Sequence, residues 1–298
     1  MIHKPVLLKE VIEYLNPKPG ENFIDCTVGE AGHTLAILEK NGPSGKVLGI
    51  DWDAKQIENS KALTANFKDR VILVNDSYAN LKKIVDENNF NLVNGILLDL
   101  GMSSFQLEGS EKGFSFKKDQ LLDMRYDDAN NDLTAEKIVN EWGREEMEKI
   151  LEDFGEEKFA RQIAKNIVEA RKTKRIKTTF QLVEIIEKSI PRRRLQGIHC
   201  ATRTFQALRI AVNGELDNVT KVLPEAFSIL SSGGRLVVIS FHSLEDRIVK
   251  NFFKNPPSAS SGGGGAKILT KSPVTAQDGE MDENPRSRSA KLRAIIKL

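Results

Sequence analysis

Over the first hundred residues, short apolar runs alternate with stretches of helical periodicity, the sequence form of a parallel sheet covered by helices. The runs predict strands at 22–26, 46–50, 71–74 and 94–98, and the periodicity predicts helices at 34–41, 54–67 and 79–88. This is a doubly wound α/β half. Beyond Gln106 the strand signal stops. Phe159, Ile163, Ile167 and Ala170 recur at helical spacing, and Thr178 with Gln181 forms a capping box opening a helix expected to bury Phe180, Leu182, Val183 and Ile186. The α/β pattern resumes with helices at 202–213 and 215–230, a Gly233-Gly234 turn into a strand at 235–240, a helix at 244–253 and a closing strand at 291–298. Pro256, Pro257 and a Ser/Gly tract make 255–287 a predicted flexible surface loop. The expected architecture is α/β: a Rossmann-like sheet from 1–106 and 200–298, interrupted by an all-helical insert at 107–199.

Composition narrows the class. With 40% hydrophobic residues in 298, the chain is not disordered as a whole. Its longest apolar stretches, near Ile96 to Leu100 and Leu236 to Phe241, fall far short of the roughly 20 residues a membrane-spanning helix needs. His3, Lys4, Lys9 and Glu10 interrupt any secretory apolar core, so a cytoplasmic protein with no membrane partner is expected. Two cysteines and four dispersed histidines lack metal-ligand spacing, and no metal site is expected.

Net charge alone, 44 Lys+Arg against 42 Asp+Glu, says nothing for a polyanionic partner. Its distribution does. Residues 123–157 hold thirteen Asp/Glu and four Lys/Arg, a balance of −9, whereas 161–209 hold thirteen Lys/Arg and three Asp/Glu, a balance of +10. Phosphate contacts are expected from the basic stretch, with Arg192, Arg193 and Arg194 at its centre.

Candidate chemistry sits at the strand ends. Phe23 to His33 runs from strand through a small-residue turn into a helix, where backbone can approach a ligand closely and free N–H groups face it; a plain tight connection is the alternative. Asp51, at the end of the second strand, suits the ribose hydroxyls of a nucleoside-containing cofactor. The turn offers only Gly29-x-x-Gly32, not the G-x-G-x-x-G of pyrophosphate-binding enzymes. A methyl donor without a pyrophosphate is therefore favoured, with Asp25 either attracting its ammonium or organising the loop. Asp99 ends the fourth strand, where a carboxylate can lie beside a transferred methyl and its acceptor, or simply cap a turn. His242 follows the fifth main strand and either faces the same crevice or caps a helix. Arg286 and Arg288 make the approach to the last strand basic, with plain solvated charge as the alternative.

Several runs carry a resemblance: His3 to Leu7, Asp25 to His33, Leu97 to Ser104 with Gln106-Leu107, Gly113 to Phe116, Leu122 to Arg125, Ala201 to Ala207, Ser240 to Arg247 and Asn284 to Arg293. In this order and spread along the whole chain, they resemble the RsmH (MraW) family. Its members are bacterial enzymes that methylate N4 of a cytidine in 16S ribosomal RNA using S-adenosyl-L-methionine. The resemblance implies a class I methyltransferase domain with a helical insert that helps grip RNA. It implies cofactor contacts at Ala31, Gly32, His33, Asp51, Tyr78, Asp99 and Gln106. Cys26 and Ala31 stand where the motif commonly has glycine, and Tyr78 where phenylalanine is usual. Asp99 is the candidate acceptor for an N4 proton, or else serves the cofactor's amino acid, while His242, Arg192 to Arg194, Arg286 and Arg288 are candidate RNA contacts. The implied partner is 16S ribosomal RNA, within the small subunit or free, and a homodimer is entertained. The rival readings are a non-catalytic RNA-binding assembly factor and a methyltransferase for another acceptor; against a DNA amino-methylase, Asp99-Leu-Gly-Met replaces the usual Asp/Asn-Pro-Pro-aromatic motif.

Overall fold

A computed structural model describes residues 4–103, 106, 109–191, 199–256 and 265–298. In chain order the elements are α1 (Leu8–Leu15), β1 (Asn22–Asp25), α2 (Gly32–Lys40), β2 (Val47–Asp51), α3 (Ala54–Leu63), β3 (Val71–Asn75), α4 (Leu81–Glu87) and β4 (Val93–Asp99). There follow α5 (Ala135–Glu141), α6 (Arg144–Asp153), α7 (Ala160–Thr173), α8 (Thr179–Ser189) and α9 (Thr202–Asn213). The chain closes with α10 (Glu215–Ile229), β5 (Leu230–Ser240), α11 (Ser243–Lys254), β6 (Ala266–Ile268), α12 (Asp278–Glu283) and β7 (Lys291–Lys297). They form two compact units, Met1–Gly101 with Leu216–Leu298, and Met102–Glu215.

The first unit is a seven-stranded sheet in the order β3-β2-β1-β4-β5-β7-β6. The first five of these run parallel, and β7 lies antiparallel between β5 and β6. The apolar runs are continuous because both sheet faces are covered. Successive side chains point to opposite faces: Phe23, Val47, Leu97 and Val237 pack with Val11, Leu15, Ile37 and Leu38. Ile24, Leu48, Leu98 and Val238 pack with Leu81, Ile84, Leu223 and Phe253 on the other side. Gly95, paired with Phe23, is where that packing is tightest, since a Cβ there would stand 2.7 Å from two Phe23 ring carbons and 3.1 Å from Leu15 Cδ2. The Gly95→Ala variant is expected to lose about 1–3 kcal/mol by overpacking, measured by urea denaturation with an unchanged m-value.

Two expectations change. The predicted loop at 255–287 contains β6 and α12, and it buries Thr270, Ala276, Asn284 and Ser287. Val274 joins the sheet margin by exchanging both backbone hydrogen bonds with Leu292, at 2.9 and 2.8 Å. The Ser/Gly residues 258–264 lie outside the described residues. In addition, α9 belongs to the second unit, not the sheet unit, because Phe205, Leu208 and Val212 bury among Ile163, Ile167 and Leu182. The break in the chain therefore falls at Gly101 and Glu215 in place of 106 and 200.

The second unit is helical around that core. The Thr178/Gln181 cap opens α8, with Gln181 Oε1 accepting from the Thr178 N–H at 3.2 Å. Leu182 and Ile186 are buried as expected, but Phe180 is 49% exposed. Arg209 bonds Glu215 through both carboxylate oxygens at 2.8–3.2 Å, and Tyr126 Oη donates to the same carboxylate. A bidentate pair of this kind sets geometry as well as energy.

Candidate active site

In open α/β sheets ligands bind outside the carboxyl ends of the strands, at the point where successive connections diverge. Here that point lies between β1, which leads to β2 and β3, and β4. Asp25, Asp51 and Asp99 end β1, β2 and β4. The turn after β1 is stitched to both neighbours: Cys26 N–H donates to Leu97 O and Val28 N–H to Ile50 O, each at 2.9 Å. Gly29 (φ 49°) and Ala31 (φ 58°) both hold left-handed backbone, a region costly for bulkier residues. α2 then starts at Gly32, and its N-cap residue Ala31 offers no side-chain cap to the first N–H groups of the helix.

The three carboxylates do different work. Asp25 is buried and its oxygens are taken up locally, by the Thr27 N–H at 3.1 Å and the Thr34 hydroxyl at 2.7 Å. Of the two roles open to it in the sequence, organising the loop is the one its bonds perform. Asp51 accepts from the Gly29 N–H and the Asp53 N–H, both at 2.9 Å. Burial pushes its carboxyl up to about 7 despite those bonds, with the Asp53 and Asp25 charges adding. Asp99 is held by its backbone, whose N–H donates to Thr27 Oγ1 at 2.8 Å, and by the Gly101 N–H on its Oδ1 at 3.2 Å. Burial pushes its carboxyl up to about 6 against the pull of His33 and that N–H, with Asp25 and Glu245 raising it further.

His33 is a buried link at the start of α2. Its Nε2 lies 2.9 Å from Val6 O and its Nδ1 3.8 Å from Asp99 Oδ2. Tyr78 opens a single 3₁₀ turn after β3, half-buried against the sheet core. Ala31, Gly32, His33, Asp51, Tyr78 and Asp99 thus lie along one edge of the sheet. Gln106 belongs to the other unit, where its Oε1 accepts from the Ser103 N–H at 3.0 Å. Arg192, Arg193 and Arg194 lie outside the described residues.

His242 is the N-cap of α11: the Glu245 N–H approaches its Nδ1 at 3.5 Å, and Glu245 in return accepts from Phe241 N–H at 2.7 Å. The helix-capping reading describes this side chain. Arg286 and Arg288 sit on a 3₁₀ turn just before β7, whose start pairs with the end of β5, so they approach the same edge. Two residues that hold the site together, Thr27 and Glu245, carry no separate role in the sequence reading. The Glu three residues after His242 is a capping-box signal that was there to be read, but the Thr27 bond to a residue 72 positions on was not. On metals, Glu187, His199 and Cys200 bring one ligand atom each within 4.8 Å of one another, although burial pushes the Cys200 thiol up and away from the thiolate form.

An uncapped helix start, a carboxylate with oxygens oriented by two backbone donors, and an aromatic ring one strand further on suit a nucleoside that carries an amino acid and no phosphate. The sheet order with its single antiparallel insertion, together with these strand-end acids, defines a Rossmann-like class I methyltransferase. A crystal structure of a candidate rRNA methylase from Clostridium thermocellum shares the fold, with a TM-score of 0.50 at 14% identity over 100% of both chains. The sequence model of the MraW methylase family matches residues 1–298, and the chain belongs to that family. Ribosomal RNA small subunit methyltransferase H of Acetivibrio thermocellus is 48% identical, with 99% of each chain covered. The protein of the same name from Thermotoga neapolitana is 46% identical, covering 98% of this chain and 95% of that one. Among the described residues no helix is long and apolar enough to cross a membrane.

Proposed function

We propose that this protein transfers a methyl group from S-adenosyl-L-methionine to the exocyclic N4 of a cytidine in 16S ribosomal RNA. The observation that carries this is the end-to-end match to ribosomal RNA small subunit methyltransferases at 42–48% identity. When bound, the cofactor supplies an electrophilic methyl on a sulfonium. Asp51 would hold the ribose hydroxyls, Tyr78 would lie along the adenine, and the turn at Ala31, Gly32 and His33 would receive the amino-acid end.

The residues of the chain must then prepare the acceptor. The cytosine amine is a poor nucleophile because its lone pair is delocalised into the ring, so aligning it and accepting one of its hydrogens lowers the barrier. Asp99 is the group assigned to that acceptance, with His33 Nδ1 3.8 Å from its Oδ2. Reaching a ribosomal base requires the nucleotide to be drawn out of its stack. The helical unit, with Arg192, Arg193 and Arg194 in its basic stretch, would hold the surrounding RNA, and Arg286, Arg288 and His242 border the edge it must reach. We further propose action on the small subunit in the cytoplasm, as a monomer or homodimer.

Labelled S-adenosyl-L-methionine offered with small subunits, naked 16S rRNA and DNA is expected to label RNA alone, at N4 of a single cytidine on digestion and mass analysis. Label on DNA or on another position overturns the acceptor. No transfer to any of them, with RNA still bound, would favour the non-catalytic assembly factor.

A further inference from the structure

A cleft of about 420 Å³ in the helical unit has no part in the site described above. It is lined by Arg144, Lys158, Phe159, Arg161, Gln162 and Lys165. Arg144 opens α6; Lys158 and Phe159 lead into α7; Arg161 and Lys165 stand four residues apart on α7 and so share a face. Four cations and no carboxylate meet there. Arg144 comes from the acidic stretch of the sequence, so only the packing of α6 beside α7 brings it to the others.

Several cations elsewhere in this unit are paired with carboxylates: Arg125 with Asp123, Arg175 with Glu136 and Glu141, Lys172 with Glu169, Lys188 with Glu184 and Arg209 with Glu215. Among the described residues none of the four at the cleft forms an ion pair within 4.0 Å, Lys165 acting only at longer range on Glu169, and Arg144 Nε is shut off from water without an acceptor. An unanswered buried donor is a standing cost that an anion would remove. α7, a helix of 14 residues, starts beside the cleft, where the Glu157 carboxylate accepts from the Phe159 N–H at 2.9 Å. The cleft is far roomier than one phosphate requires, and Phe159, half-buried where it packs against the apolar core of the unit, contributes an aromatic side chain to its lining.

We propose that this cleft binds a single-stranded segment of the ribosomal RNA substrate, with Arg144, Lys158, Arg161 and Lys165 on its phosphodiesters and Phe159 stacked on one of its bases. This rests on the rRNA reading above. It places an anchoring site for RNA in the helical unit that is separate in residues from the strand-end acids.

The test compares the intact chain with the Arg144→Gln/Lys158→Gln/Arg161→Gln/Lys165→Gln variant, using a 16S rRNA fragment that the intact chain methylates. The dependence of log K on log salt is expected to become shallower by about 3 in the variant, at roughly 0.7 per phosphate contact on a single strand. The Kd for RNA at 0.1 M salt should rise at least about tenfold, and the KM for RNA with it, while the affinity for S-adenosyl-L-methionine stays unchanged. Should the fourfold variant fold poorly, Arg161→Gln and Lys165→Gln, both on exposed helix positions, serve singly and should each remove about 0.7 from the slope. Phe159→Leu should weaken RNA binding with the slope intact, because stacking releases no counterions. Methylation by the variant with an unchanged slope and KM overturns the cleft and leaves the rRNA reading standing. Equal competition by inorganic phosphate or by a polyglutamate of matched charge also overturns it, as a site for anions in general. An intact chain that neither binds nor methylates rRNA overturns both.

Discussion

Asp99→Asn is expected to lower kcat for methyl transfer by roughly 10²–10⁴-fold, the range general-base groups contribute, with little change in fold. The substitution keeps what the scaffold needs from this position. The backbone N–H still donates to Thr27 Oγ1, and an amide oxygen can still accept from Gly101 N–H. What it removes is the charge and the ability to take a hydrogen from the amine. The pH profile provides the second readout. With the carboxyl held at about 6 by burial, the ionised acceptor is lost as pH falls, so kcat should climb with pH to about 6 and level off above it. The Asn variant should lack that limb. If instead its kcat holds and the cofactor Kd rises, Asp99 serves the cofactor's amino acid. The comparison separates the two roles the sequence left open for this residue.

Most of the sheet was legible because each core strand is buried on both faces and so appears as an uninterrupted apolar run: Val47 to Ile50 and Leu97 to Leu98 leave no polar position to confuse the period. The end of the chain was not. Strand β6 is three residues, Ala266–Ile268, two of them exposed, and its place in the sheet is set by pairing with β7 and not by its own pattern. The same limit explains α9. Its periodicity announces a buried stripe through Phe205, Leu208 and Val212, but a stripe does not say which core it joins. At the site, sequence reading could find acids at strand ends, because strand ends and acids are both local. It could not find that Thr27 carries the backbone of Asp99, or that Arg144 from an acidic helix faces a basic one. Those facts exist only after chain segments distant in sequence are packed together.

Asp51 is the position where loss should fall on the cofactor alone. Hydrogen bonds to a charged acceptor are each worth about 1.5–3 kcal/mol, so removing a carboxylate that accepts from two ribose hydroxyls should raise the Kd for S-adenosyl-L-methionine by roughly 10²–10⁴-fold in Asp51→Ala. That variant also strips the Gly29 and Asp53 N–H groups of their acceptor, loosening the turn. Asp51→Asn is the cleaner comparison: an amide can satisfy one of those donors and accept one hydroxyl, so the loss should be intermediate. The proton provides an independent check. Because burial raises this carboxyl to about 7, the folded empty site holds its proton more tightly than the unfolded chain does. Stability from this group is therefore present below the ordinary carboxylate range and is lost as pH rises through about 7. Ribose hydroxyls donate to the ionised form, so cofactor affinity should move the opposite way, rising with pH and levelling above about 7. Calorimetric titration between pH 5 and 8 should show that rise in the natural protein and a flat line in Asp51→Asn, and the fall in melting temperature over the same interval should shrink in the variant. Tight binding retained by Asp51→Ala at every pH would remove the ribose from Asp51 and leave it only the stitching of the turn.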